Sequence, residues 1–377
     1  KGSETAFRDI SDIKIKHFKE NISKNKTKTI SLKRKIEIKN LKFYYNKNNL
    51  ILNNINLKIK QNDIIGLIGS IGSGKTTLCK LLVRLKLVKS GSILLNDINI
   101  NNLNIDNIRS LISFIPQHPK LFNRTLYENI NYGSKKNITR EYILSILEKI
   151  NIPSIITKFT NMMDQKVGKN GSNLSGGQRQ IVWLLRSVLR NSNIIILDEP
   201  LSNLDQELRY KVRSEIVHLL RNLGTTTLIV SHDTEDALAI LDKIIVLKDG
   251  GVVQEGSPQK IYNKPSSKYA ALLFGKSNFI PLEHFPKRTE NIIMNENDER
   301  FTSIRPSQLK LIDKIEIKNT GFLAEGHVIR ECILGAFKQI TIDCKVFVVD
   351  VNVINLKHYE VGKKVYVGID SAFLKYI

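Results

Sequence analysis

Gly69-Ser70-Ile71-Gly72-Ser73-Gly74-Lys75-Thr76 follows directly on the apolar run Ile64-Ile65-Gly66-Leu67-Ile68, and this stretch decides the fold. Its glycines let backbone N–H groups turn inward and form a nest for phosphate oxygens. A helix that opens near Lys75 adds the positive end of its dipole. Lys75 then brings a full charge to the β- and γ-phosphates, and the Thr76 hydroxyl can ligate Mg²⁺. Gly69, Ser70, Gly72, Ser73, Gly74, Lys75, Thr76 and Thr77 form the expected phosphate-binding set. A glycine-rich turn without function is the bland alternative. It leaves unexplained why a strand precedes the loop and a helix, expected over Lys75–Leu87, follows it.

A second station lies downstream. The run Ser192–Leu197, apolar throughout from Ile194, reads as a strand covered on both faces. It ends in Asp198-Glu199-Pro200, and two acids at the end of a buried strand are costly unless they are paired or at work. Asp198 is the expected Mg²⁺ ligand, and Glu199 the general base that polarises the attacking water. One such acid alone would be an ordinary strand-end cap.

Leu174-Ser175-Gly176-Gly177-Gln178-Arg179-Gln180 narrows the choice. This stretch resembles the signature of the ATP-binding cassette (ABC) ATPases. The resemblance implies that Ser175, Gly176, Gly177 and Gln178 close over the γ-phosphate of ATP held by a second subunit. It also gives roles to residues that are unremarkable alone. Gln117, after Phe114-Ile115-Pro116, would be a loop glutamine; in the family this position reaches the metal and the nucleophilic water. His232, after Leu228-Ile229-Val230-Ser231, would be a strand-end histidine; in the family it is the switch histidine on the γ-phosphate. Ser202-Asn203-Leu204-Asp205 matches the family's D-loop, with Asp205 at the dimer interface. Phe43-Tyr44-Tyr45 matches its aromatic A-loop, with Tyr45 placed to stack on adenine; a strand-surface tyrosine is the alternative. The stations occur in family order over about Ile36 to Gly275. The implied cofactors are ATP and Mg²⁺.

Two branches of the family leave traces. Gly256-Ser257-Pro258-Gln259-Lys260-Ile261-Tyr262, with Tyr269-Ala270 and Phe274-Gly275, looks like the iron, spermidine/putrescine and sugar importer ATPases. Ile304-Arg305-Pro306 resembles the opening of their C-terminal TOBE domain, an oligonucleotide-binding-like β fold. In contrast, Leu121-Phe122-Asn123-Arg124-Thr125-Leu126 and Val167-Gly168-Lys169-Asn170-Gly171 are similar to exporters, although the exporter acid is replaced by Lys169-Asn170. The C-terminal domain weighs more, because exporter ATPases are generally fused to membrane helices and lack it. The expected protein is therefore the ATPase subunit of an importer, dimerising with a second copy and driving a separate transmembrane permease. Indirect contact with a solute-binding protein is the further partner that the resemblance allows. The expected place is the cytoplasmic face of the membrane, held peripherally. The alternatives are the ATPase portion of an exporter or a soluble non-transport ABC ATPase. The short spacing from Gln117 to Ser175 leaves no room for the coiled coil of the DNA-repair kind. A tandem-cassette translation factor would need a second P-loop.

The expected fold class is thus α/β, a P-loop NTPase cassette with a helical subdomain plus a small all-β domain. The cassette is expected over 35–276, its helical subdomain at about 118–190, a linker over 277–300, and the TOBE-like domain over 301–377. In the helical part, Tyr142, Ile143, Ile146, Leu147 and Ile150 make one apolar face. Leu121, Phe122 and Leu126 suit a shallow groove that grips a partner helix; the alternative is that Phe122 packs inside the helical subdomain. At 377 residues the chain exceeds one ordinary core. No apolar run is long enough to span a bilayer. The three cysteines, Cys79, Cys332 and Cys344, form no disulfide or metal spacing, which fits a reducing compartment. The net charge of +22 is spread over a Lys-, Asn- and Ile-rich composition, so no nucleic-acid partner is expected. Residues 1–34 read as a basic leader. Contact with anionic lipid and a solvated, disordered segment are both open for it.

Overall fold

The computed structural model describes residues 35–46, 48–134, 138–150, 153–200, 216–284, 292–294, 300–312, 321–354 and 358–369. The basic leader and the Ser202–Asp205 stretch lie outside the described residues.

Two sheets build the nucleotide-binding part. An antiparallel sheet is formed by β1 (Lys35–Tyr44), β2 (Leu50–Lys60), β4 (Ser90–Leu95) and β5 (Ile98–Asn99), in the order β2-β1-β4-β5. Alternation sets its faces: Leu52, Ile55, Leu57 and Ile59 of β2 are all buried. The second sheet contains β3 (Ile64–Gly69), β6 (Ile112–Ile115), β7 (Ile194–Asp198), β8 (Thr226–Ser231), β9 (Lys243–Lys248) and β10 (Gly251–Gly256). Its order is β10-β9-β3-β8-β7-β6, parallel except for β10. All six residues of β3 and all five of β7 are buried, as continuous apolar runs covered on both faces should be. The phosphate loop leaves β3 at the centre of this sheet, and Asp198 ends β7 two strands away.

The helix after the loop spans Lys75–Leu82, shorter than the expected Lys75–Leu87. Arg84 takes a left-handed φ of 52°, which stops the helix, and Leu85 and Leu87 are exposed. Helices Leu126–Ile130, Arg140–Ile150, Pro153–Met162 and Gly176–Leu189 pack round a core that includes Phe159, Val167, Ile181 and Leu185. Of the apolar face expected on the second of these, Ile143, Ile146 and Leu147 are buried but Tyr142 is exposed. Its hydroxyl makes the ring tolerable in water, so the true stripe is narrower. Leu121 and Leu126 are buried as well, and only Phe122 of the expected docking trio is exposed.

The C-terminal part is built of strands with short 3₁₀ turns. Strands β11 (Asn278–Pro281), β12 (Ile292–Met294) and β13 (Arg300–Ile304) form one small sheet, in the order β11-β13-β12. The linker expected over 277–300 is corrected here. Asn278 pairs with Ile304 and Pro281 with Phe301, and Ile280 is fully buried. The polar composition of the stretch hid a strand of four residues with one apolar anchor. Strands β14 (Leu309–Ile312), β15 (Gly321–Leu334), β16 (Phe337–Asp343), β17 (Val348–Val353) and β18 (Lys364–Ile369) follow in the order β14-β18-β15-β16-β17. The edge strands β14 and β17 approach each other, so this sheet curls towards a barrel round Val328, Ile340, Ile342, Val351 and Val367.

Candidate nucleotide-binding site

Lys75 is buried, and its ammonium is held by its own loop: Nζ donates to Gly69 O (2.7 Å) and Ser70 O (2.8 Å) and lies 3.5 Å from Ser73 Oγ. Burial pushes its pKa below the ordinary lysine value, and the Glu199 and Asp198 carboxylates push back. Gly72 and Gly74 sit at φ +85° and +97°, which turns the loop. At Gly74 there is also no space, because an added Cβ would lie 2.6 Å from Leu52 Cδ2 and 3.0 Å from Ile51 O.

Thr76 Oγ1 donates to Asp198 Oδ1 over 3.1 Å, which brings the loop and the end of β7 together. Asp198 is 5% exposed, and burial raises its pKa above the usual carboxylate range; the Thr76 hydrogen bond opposes that and Glu199 adds to it. Glu199 follows at φ +47°, with its N–H donating to Val230 O. Gln117 Nε2 donates to Glu199 Oε2 (2.7 Å), and His232 Nδ1 lies 3.2 Å from Glu199 Oε1. Gln117 and His232 come from loops after β6 and β8, the two strands that flank β7. Side chains from loops far apart in sequence therefore meet at the Glu199 carboxylate.

Tyr45 stands beyond β1 and is about half exposed. Its hydroxyl is 3.3 Å from Thr77 Oγ1, and its ring meets Phe43 edge-on at 5.1 Å. Lys86 Nζ lies over the same ring, 5.7 Å from its centroid. The signature stands apart from these contacts. Ser175 is the N-cap of the Gly176–Leu189 helix, and Ser175 and Gln178 hydrogen-bond each other as a capping box. This serine is exposed at the positive end of a 14-residue helix. Asp205 lies outside the described residues.

Sequence reasoning gave no site role to Tyr269, whose hydroxyl accepts from Ser70 N–H at 2.9 Å. It also missed the role of Arg186. This arginine is buried, donates to Asn129 O and Oδ1, and is stacked near the rings of Phe122, Tyr132 and Trp183. Burial lowers its pKa to about 10. No local pattern signals either contact, because each joins distant segments.

The ABC transporter family description matches residues 52–202. A spermidine/putrescine import ATP-binding protein, PotA, of Borreliella afzelii is 33% identical over 295 residues, covering 74% of this chain and 82% of the relative. PotA of Clostridium acetobutylicum is 30% identical over 350 residues, covering 89% and 93%. An Fe(3+) ions import ATP-binding protein, FbpC, of Brucella melitensis is 37% identical over 238 residues, covering 62% and 64%. Among solved structures, a bacterial Atm1-family ABC exporter with ATP bound superposes with a TM-score of 0.59 at 25% identity, covering 65% of this chain and 42% of the exporter chain. The glycine-rich loop after β3 and the two acids at the end of β7 are brought together by the Thr76–Asp198 bond, while the exposed Ser175 caps a separate helix. The chain belongs to the ABC transporter family, in its import-type branch, as an ATP-binding subunit whose ATP hydrolysis powers transport.

Proposed function

We propose that two copies of this chain close on two ATP molecules and drive solute import through a separate membrane permease. The observation that carries this reading is the convergence of Gln117 and His232 on Glu199, beside the Thr76–Asp198 bond. Glu199 is the general base, held in line by the Gln117 amide and the His232 imidazole. Lys75 and the loop N–H groups hold the β- and γ-phosphates. The hard oxygens of Thr76 and Asp198 already share a hydrogen bond, and with the Gln117 carbonyl they make a donor set that suits Mg²⁺. When bound, that ion offsets charge on the phosphate oxygens. Tyr45 stacks on the adenine, and Ser175 to Gln178 reach the γ-phosphate in the facing copy, with Asp205 at the same interface.

The Phe122 surface of the helical part is the proposed seat for the permease, which would hold the chain peripherally at the cytoplasmic face of the membrane. Among the described residues, no helix is long and apolar enough to cross a membrane. Relatives named for polyamines and for ferric ions match at similar identity, which supports an ATPase body shared between solutes.

The test is complementation between two dead chains. Lys75→Ala and Ser175→Arg each abolish both composite sites of a homodimer. In a mixed dimer the two lesions fall in one site and leave the other intact, so hydrolysis returns on mixing. Full, concentration-independent turnover by a strict monomer would refute the dimer.

A further inference from the structure

Tyr269 lies 199 residues beyond Ser70, on the short helix Lys268–Leu273, yet its hydroxyl is built into the root of the phosphate loop. Ser70 N–H donates to Tyr269 Oη over 2.9 Å. The hydroxyl is 3.1 Å from Leu247 O and 3.3 Å from Ser70 Oγ. It has one proton, and Leu247 O can only accept, so the carbonyl is the partner that needs it. The pairing of β3 with β9 ends at Gly69 and Leu247. The hydroxyl thus ties the two strand ends together at the point where the loop departs. The other side of the same residue is held by Lys75, whose Nζ donates to Ser70 O at 2.8 Å. Ser70 is therefore fixed from its amide by Tyr269 and from its carbonyl by the lysine that must reach ATP.

The far end of the tyrosine's helix is fastened to the C-terminal β part. Arg305 follows β13 and is 3% exposed. Its Nη1 donates to Ala271 O (2.8 Å), Gly275 O (2.9 Å) and Lys276 O (3.3 Å), and its Nη2 donates to Tyr262 O (3.2 Å). The guanidinium also lies 4.3 Å from the centroid of the Tyr262 ring. Ala271 O, Gly275 O and Lys276 O lie at or beyond the C-terminal turn of this helix and Tyr262 O near the end of the helix Pro258–Asn263, and a planar fork of donors is suited to collecting such carbonyls.

We propose that Tyr269 is a positioning residue of the phosphate loop, through which the Arg305 clamp of the C-terminal β part sets the seat of Lys75. It acts on ATP through Ser70 and need not touch the nucleotide. A shift of the clamp would move the helix, the hydroxyl and the Ser70 peptide together, so the C-terminal part tunes nucleotide affinity from outside the site.

The experiment uses the full chain. Tyr269→Phe removes the hydroxyl and keeps the ring. Loss of one hydrogen bond at the loop is expected to raise the KM for ATP about five-fold with a much smaller change in kcat. Amide hydrogen exchange in the peptide containing Ser70 should quicken without nucleotide, while exchange in the β14–β18 sheet stays as in wild type. Arg305→Lys keeps the charge and loses the fork; it should raise KM and quicken the same exchange. Both variants are measured well below their own melting midpoints, so that lowered stability does not enter. A wild-type KM and wild-type Ser70 exchange in Tyr269→Phe would overturn the positioning role. Wild-type loop behaviour in Arg305→Lys would overturn the link to the C-terminal part. The inference rests on the loop holding ATP. Failure of that reading would show as no nucleotide binding by the wild-type chain, a different result from unaltered binding in Tyr269→Phe.

Discussion

Gln117 Nε2 donates to Glu199 Oε2 across 2.7 Å, joining the loop after β6 to the acid that follows β7. The contact leaves the second carboxylate oxygen to His232, so both oxygens of Glu199 are oriented by side chains from neighbouring strand ends.

That orientation makes Glu199→Gln the sharpest single test of the base. The amide keeps the shape and loses the proton acceptor. Turnover should fall at least about 100-fold while ATP binding persists. Size-exclusion chromatography with ATP should show an accumulated dimer. Wild-type turnover would remove Glu199 from the role.

Asp198→Asn should raise the melting temperature of the nucleotide-free protein by a few degrees while abolishing hydrolysis. Burial raises the Asp198 pKa, so the folded state disfavours its ionised form. The sign follows from linkage: the penalty is absent when the carboxyl is protonated and grows as pH rises through the folded pKa. The gap between variant and wild type should therefore be widest near neutral pH and close in acid. A lower melting temperature for the variant at pH 7 would contradict this.

Gly74→Ala adds a methyl where Leu52 already stands and where φ is +97°. Destabilisation of roughly 1–3 kcal/mol is expected, with loss of ATP binding. Chemical denaturation and a nucleotide-binding titration would check both. Unchanged stability would mean that Leu52 gives way freely.

Phe122→Asp tests the seat of the permease. The ring is exposed and rests on Tyr132, with centroids 4.6 Å apart, and the Arg186 guanidinium beside it offers the new carboxylate an opposite charge, so the substitution should cost little stability and leave ATP binding unchanged. Pull-down of the permease should weaken about ten-fold or more. Attachment at wild-type strength would take this surface out of the interface.

How much of this was readable from residues alone depends on distance along the chain. The phosphate loop and the strand-end acids are local patterns whose backbone consequences are fixed within a few residues, so Lys75, Thr76 and Asp198 could be named directly. Gln117, Tyr45 and His232 needed family resemblance, because a glutamine or histidine after a strand carries no chemistry until the sheet order brings it to Glu199. Asn278–Pro281 was missed because four residues with a single buried apolar side chain, Ile280, are too few to set a period. Leu121 and Leu126 fit the sequence pattern of groove residues between polar turns, and only the packed core decides that they face inward. The bond between Tyr269 and Ser70 had no signal at all, since nothing in either neighbourhood refers to the other.

The cross-strand pair Phe43 and Leu52 has one further consequence. Phe43 supports the edge of Tyr45, and Leu52 presses on Gly74. The proposed adenine seat at Tyr45 and the loop at Gly74 thus hang from a single rung of one hairpin, which works as a gauge between them. A slip of one residue in that register would spoil the gauge at both jaws together, so grip on the base and grip on the phosphates should be lost or kept as one.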